Sequence, residues 1–169
     1  MLKQIVAGVV VAVMLAGAAG AGPLEDADAA YQRGDYATAA RLFRPLAEQG
    51  LAAAQSMLGI MYAEGWGVPQ DFVEAVKWHR LAAEQGNVDA QYGLGFRYWA
   101  GRGVPQDYVL AHMWWNLAAA QGDDIAAGAR DNLASQMTAD QIAEAQRLAR
   151  AWKPTTPQPP DLIREDDQH

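Results

Sequence analysis

Apolar residues recur along most of this chain at spacings of three and four, the period of a helix with one buried face. The clearest stretches are Ala54, Leu58 and Met61 or Tyr62, and later Ile142, Ala145, Leu148, Ala149 and Trp152. Helix-stopping glycines and capping residues separate them, and the pattern divides into eight short helices. Ala52 to Ala63 opens the first well-marked pair. Gly65 and Gly67 then supply positive backbone dihedrals for a tight turn, and Pro69 fixes the approach to the next helix. Asp71 caps that helix with Glu74 placed to complete a capping box, Gly86 ends it, and Asn87 caps the one that follows.

The pattern repeats. A shift of 36 residues carries Gln55, Leu58, Gly59 and Tyr62 onto Gln91, Leu94, Gly95 and Tyr98. It carries Gly65, Gly67, Val68, Pro69, Gln70 and Asp71 onto Gly101, Gly103, Val104, Pro105, Gln106 and Asp107. Ala75, Trp78, Ala82 and Gly86 fall on Ala111, Trp114, Ala118 and Gly122. A fixed period of this length marks a solenoid, in which each helix pair buries its apolar face against its neighbour. Small residues at Gly59, Ala75 and Ala82 allow close helix approach, with Trp78 and Trp114 as core residues between layers.

The flanks supply further helices. Leu24–Gly34 and Tyr36–Gly50 form an opening pair around Tyr31, Ala39, Leu42, Phe43 and Leu46. Asp123–Gln136 and Thr138–Trp152 form a closing pair, with Thr138 and Gln141 as a capping box. The organisation read from the sequence is thus an export segment at 1–21, an opening pair at 22–50, repeats at 51–86 and 87–122, a closing pair at 123–153 and a tail at 154–169. The tail holds four of the eight prolines and the acidic run Glu165-Asp166-Asp167, and is expected to be disordered.

At the amino end, Lys3 precedes an apolar run from Ile5 to Leu15 and the small-residue stretch Ala16–Ala21, the arrangement of a secretory signal cleaved after Ala21. The alternative is an uncleaved membrane anchor, since the uncharged stretch from Gln4 to Leu24 is long enough to span. Either places the chain outside the cytoplasm, in a bacterial periplasm.

Composition then narrows the chemistry. The 169 residues carry 13 Lys and Arg against 20 Asp and Glu, a formal charge of -7 with no basic cluster, which argues against nucleic acid as a partner. There is no cysteine, and only Ser56 and Ser135 among serines, neither followed three residues on by lysine. His79 and His112 have no neighbours at metal-ligand spacing, so neither a metal nor another cofactor is implied. An adaptor is therefore favoured over the alternative, an envelope hydrolase or cell-wall-active enzyme.

The string from Leu58 to Val68, with Asp71, Ala75, Trp78 and Ala82–Gly86, resembles a Sel1-like repeat, and Leu94 to Gly122 resembles a second. The opening segment, with its short turn Arg33-Gly34-Asp35, is closer to an ordinary tetratricopeptide unit. The resemblance implies an all-α fold, a right-handed solenoid of stacked antiparallel helix pairs. It also implies a non-catalytic adaptor that binds a protein or peptide partner in an envelope or signalling assembly. By analogy with tetratricopeptide-like arrays the first helix of each pair lines the concave groove, presenting Ser56, Ile60, Ala63 and Glu64, and one repeat later Tyr92, Phe96, Trp99 and Ala100. Tyr92, Phe96 and Trp99 have two readings, as packing between helices or as an exposed anchor patch. Trp66, whose repeat counterpart is Arg102, is expected at the turn surface, and Arg97 and Arg102 have two readings, as contacts for an acidic partner or, as lone arginines near acidic neighbours usually are, as solvated surface.

Overall fold

The computed structural model describes residues 22–155. The export segment and all but the first two residues of the tail lie outside the described residues. Eight helices and no strand occur among those described: α1 (Pro23–Gln32), α2 (Tyr36–Glu48), α3 (Ala52–Glu64), α4 (Phe72–Glu84), α5 (Val88–Ala100), α6 (Tyr108–Ala120), α7 (Asp124–Ala134) and α8 (Ala139–Ala151). The fold is an all-α solenoid: each helix from α1 to α7 packs mainly on its neighbours in sequence, and α3 also touches α5.

The 36-residue period fixes the local geometry. Asp35, Asp71 and Asp107, one period apart, cap α2, α4 and α6 with their carboxylates. Asp71 accepts from Val73 N and Glu74 N, at 2.9 and 3.1 Å. The expected reciprocal bond from Glu74 is not formed: that side chain pairs with Lys77 at 3.3 Å, and the Asp71 amide donates instead to the Tyr62 carbonyl. The Thr138–Gln141 capping box is complete. In the turn between paired helices, Gly67 (φ 70°) and its counterpart Gly103 (φ 83°) sit directly over the carbonyls of Tyr36 and Phe72, the first residues of the preceding second helices. A Cβ at either position would collide with that backbone, so the glycines lock one repeat onto the one before.

Buried amides make the same stitch inside. Gln55 donates to the Ala47 carbonyl at 3.0 Å and accepts from Gln85 at 2.7 Å. One repeat on, Gln91 donates to Ala83 O at 3.3 Å and accepts from Gln121 at 2.8 Å. Arg44 to Tyr62 and Arg80 to Tyr98 repeat likewise at the edge, at 2.7 and 2.9 Å.

Three further places differ from the sequence expectation. Trp66 is half-buried, stacked on Tyr36 with ring centres 5.0 Å apart and tilted over Tyr31 at 5.9 Å, so it seals the opening pair to the first turn. The closing helices do not form a hairpin with one another. α7 packs on α6, while α8 returns across α6 and places Ala145, Ala149 and Trp152 in the core with Trp114. The start of the tail is also held: Thr155 donates its amide, at 2.7 Å, and its hydroxyl, at 3.2 Å, to the carbonyl of Glu84.

No described helix is long and apolar enough to cross a membrane.

Candidate functional site

Two cavities open side by side on the face built by the first helices of successive pairs, α3, α5 and α7. One, of about 410 Å³, lies between α5 and α7. Its walls are mainly aromatic and aliphatic, Tyr92, Phe96 and Trp99 from α5, Trp115 from α6, and Ile125 and Leu133 from α7, with the exposed amides Asn132 and Gln136 beside them. The other, of about 270 Å³, lies between α3 and α5 and is walled by Ile60, Glu64, His79, Asp89 and Arg97. Tyr92 and Phe96 line both and form the ridge between them.

The helical period explains the shared ridge. Tyr92, Phe96 and Trp99 stand at i, i+4 and i+7, so α5 presents them along one stripe. Tyr92 stacks on Trp115 at 6.4 Å, and Phe96 leans on Trp99 at 5.4 Å. Tyr92 and Phe96 are half-buried, packed against the core around Trp115 and Leu133. Trp99 is 38% exposed and Ile125, across the cavity, 70%. Apolar side chains of that size gain from leaving water, at about 25 cal/mol per Å² of area covered.

The two cavities are the same place in successive repeats. A shift of 36 carries Ile60 onto Phe96, His79 onto Trp115, Asp89 onto Ile125, Gly93 onto Ala129 and Arg97 onto Leu133. His79, Asp89, Arg97 and Glu64 are thus replaced by apolar residues, Glu64 by Ala100, while Phe96 maps onto the polar Asn132.

His79 and Trp115 illustrate what the exchange does. The Trp115 indole lies against Gly95, where a Cβ would stand 2.6 Å from the ring, and its N–H donates to the Tyr92 carbonyl at 3.1 Å. His79 fills the matching slot with a smaller ring pressed between Gly59 and Gly93, and neither ring nitrogen has a hydrogen-bond partner. Burial, reinforced by the positive charge of Arg97, pushes its pKa from 6.5 down to about 4, so the imidazole is neutral at physiological pH.

Arg97 does not follow the solvated-surface reading. It is 6% exposed, its guanidinium lying 5.2 Å from the Phe96 ring centre and 5.5 Å from that of Phe72. No carboxylate lies within ion-pair distance of it among the described residues, and its Nε is buried without an acceptor. Burial lowers its pKa, Glu64 across the cavity raises it, and Arg102 lowers it.

Of the residues anticipated for the groove, Ile60, Glu64, Tyr92, Phe96 and Trp99 line these cavities. Ser56 does not. It is 4% exposed, because one hydroxymethyl group fails to reach the surface that the Tyr92 phenol reaches from the equivalent position. Sequence reasoning missed His79, Arg97, Trp115, Ile125 and Leu133 as cavity walls. The signal was present in the alignment of the repeats, at the positions where the two copies disagree in polarity.

Aromatic faces, aliphatic side chains and a buried guanidinium equip this surface to hold a ligand. No group of three His, Asp or Glu side chains suited to a metal occurs among the described residues.

Comparison with known proteins places these features in a wider set. The family model described as Sel1 repeat matches residues 20–51, 52–87 and 88–123, so the opening segment, read above as nearer the ordinary tetratricopeptide unit, matches as a repeat of the same kind. A crystal structure of a protective antigen present in uropathogenic Escherichia coli strains, with an SLR fold, superposes with a TM-score of 0.73 at 31% identity. The match covers 77% of this chain and 29% of that one. A Sel1 repeat protein from Oxalobacter formigenes matches at 39% identity with a TM-score of 0.56, over 57% of this chain and 28% of that one. The chain therefore spans less than a third of the length of either solved structure. No curated protein matches the sequence.

Proposed function

Since this chain belongs to the Sel1 repeat family, whose members generally mediate protein–protein interaction and whose fold is typically a non-catalytic scaffold, we propose that it is an exported adaptor. It holds a protein or peptide partner in the groove of α3, α5 and α7, within a bacterial envelope assembly or signalling pathway. The observation that carries this reading is the aromatic ridge of Tyr92, Phe96 and Trp99, standing open between two preformed cavities. Large aromatics lining a concavity supply binding energy at low entropic cost, which is why anchors of interfaces are so often of this type.

Export rests on the charged, apolar and small-residue order of positions 1–21. That one structural relative is an antigen of a pathogen suits a chain displayed outside the cytoplasm. N-terminal sequencing of the native protein is expected to begin at Gly22, and recovery of Met1 in the membrane fraction would instead mark the segment as an anchor.

The binding reading is tested by crosslinking and pull-down from envelope extract with the wild-type chain and a Tyr92→Ala, Phe96→Ala, Trp99→Ala variant of unchanged helical circular dichroism. Specific partners are expected with the first and lost with the second. Equal recovery from both would remove the groove from consideration.

A further inference from the structure

The exchange of polar for apolar residues between the two cavities has a recognition consequence. A buried cation without a counter-ion is costly, and a ligand that brings an anion to it recovers much of that cost. Arg97 is such a cation. Its charge is nearly covered by Phe96, Phe72 and the cavity wall, and no carboxylate within 4 Å neutralises it among the described residues. Arg102 adds a second positive charge on the same Phe72 ring, 5.7 Å from its centre. The carboxylates nearby, Glu64 and Asp89, are exposed at the rim, where water already solvates them, so they need no partner. The same cavity wall includes His79, 2% exposed, with both nitrogens unpaired.

The neighbouring cavity has no charged side chain in its lining, and its amide side chains, Asn132 and Gln136, are exposed. Where the first has His79, Asp89 and Arg97, the second has Trp115, Ile125 and Leu133. Packed helices lie roughly 10 Å apart, and an extended peptide advances about 3.3 Å per residue, so side chains three positions apart reach from one cavity to the other over the Tyr92–Phe96 ridge.

We infer that the paired cavities read an extended segment of the partner, taking an acidic side chain at Arg97 and a large apolar side chain, three residues away, between Trp99, Trp115 and Ile125. This rests on the groove being the binding surface and adds to it the chemistry of the occupant.

An array of acetylated, amidated peptides, with two positions three apart each varied through all amino acids in a Gly-Ser background, tests the inference with the full chain as probe. The wild-type protein is expected to favour Asp or Glu at one position over Asn or Gln by at least about tenfold, and Leu, Ile, Met or Phe at the other. Arg97→Leu, which installs the residue found at the equivalent buried position 133, should lose the acidic preference and keep the apolar one. Glu64→Gln, an exposed change that removes the rim carboxylate acting on Arg97, should strengthen it. An apolar preference with no acidic one, an acidic preference that survives Arg97→Leu, or weaker acidic binding in Glu64→Gln would overturn this inference and leave the groove reading standing. Binding of no peptide at all would overturn both.

Discussion

At the scale of single residues, the pair His79 and Trp115 shows how one repeat position can serve two ends. Trp115 fills its slot and satisfies its N–H, whereas His79 leaves space above it and two unpaired nitrogens. The folded chain keeps His79 neutral down to about pH 4, while the unfolded chain protonates it from about 6.5. Between those values the unfolded state binds more protons, so stability contributed by the neutral ring is complete above pH 6.5 and is lost as pH falls toward 4, to the extent of about 3 kcal/mol. His79→Trp should therefore reduce the drop in Tm between pH 7 and pH 4.5. The larger indole must also fit the slot closed by Gly59 and Gly93, so the change with pH, and not the Tm at pH 7, is the quantity compared. An unchanged drop would show that His79 is not the group responsible. Gly59 belongs to the same slot. Gly59→Ala must displace the buried His79 ring and should cost about 1–3 kcal/mol in urea unfolding, whereas Gly128→Ala, where an added Cβ meets nothing within 4 Å, should be neutral or stabilising. The glycines of this chain were legible as turn formers, but Gly59 and Gly93 as a seat for an imidazole were not, because the ring they accept comes from a different helix.

At the scale of elements, the period made the fold readable and also hid its exceptions. Helix starts followed from Asp71, Asn87 and Thr138, since a capping side chain acts on amides two or three residues away. Long-range partners are a different matter. Trp66 looked like a turn residue because its repeat counterpart is Arg102, and its stacking on Tyr36 depends on a helix thirty residues earlier. The closing helices read as a pair from their own apolar stripes. The better surface for α8 is nevertheless α6, where Trp152 meets Trp114 at 6.3 Å. The buried amides that join repeats give a test at this scale. Gln91→Leu removes the bonds to the Ala83 carbonyl, which keeps the Gly86 amide, and from the exposed Gln121, and should cost about 0.5–1.5 kcal/mol, while Gln146→Leu, on the exposed side of α8, should change stability little. Equal effects would mean that the ladder adds nothing to repeat stacking.

At the scale of the whole molecule, stacked pairs produce a surface that no single pair owns. Each cavity takes walls from three helices, α3, α4 and α5 for one and α5, α6 and α7 for the other, so both exist only when neighbours dock. The groove's location was legible once the repeats were aligned, because the positions facing it recur with the helix period. Its division into a charged and an apolar half was not, since burial of Arg97 depends on Phe72 and Phe96 closing around it. The central claim is that the partner lies along α5 between these halves. Site-specific photocrosslinking in the native cells is its most direct test, with a photoreactive phenylalanine at position 99 in the groove or at position 73 on α4. Position 73 is the more exposed of the two, at 65% against 38%, so exposure alone would favour it. Crosslinks to one partner from position 99 and none from position 73 are predicted. The same partner captured from 73, with none from 99, would contradict the account.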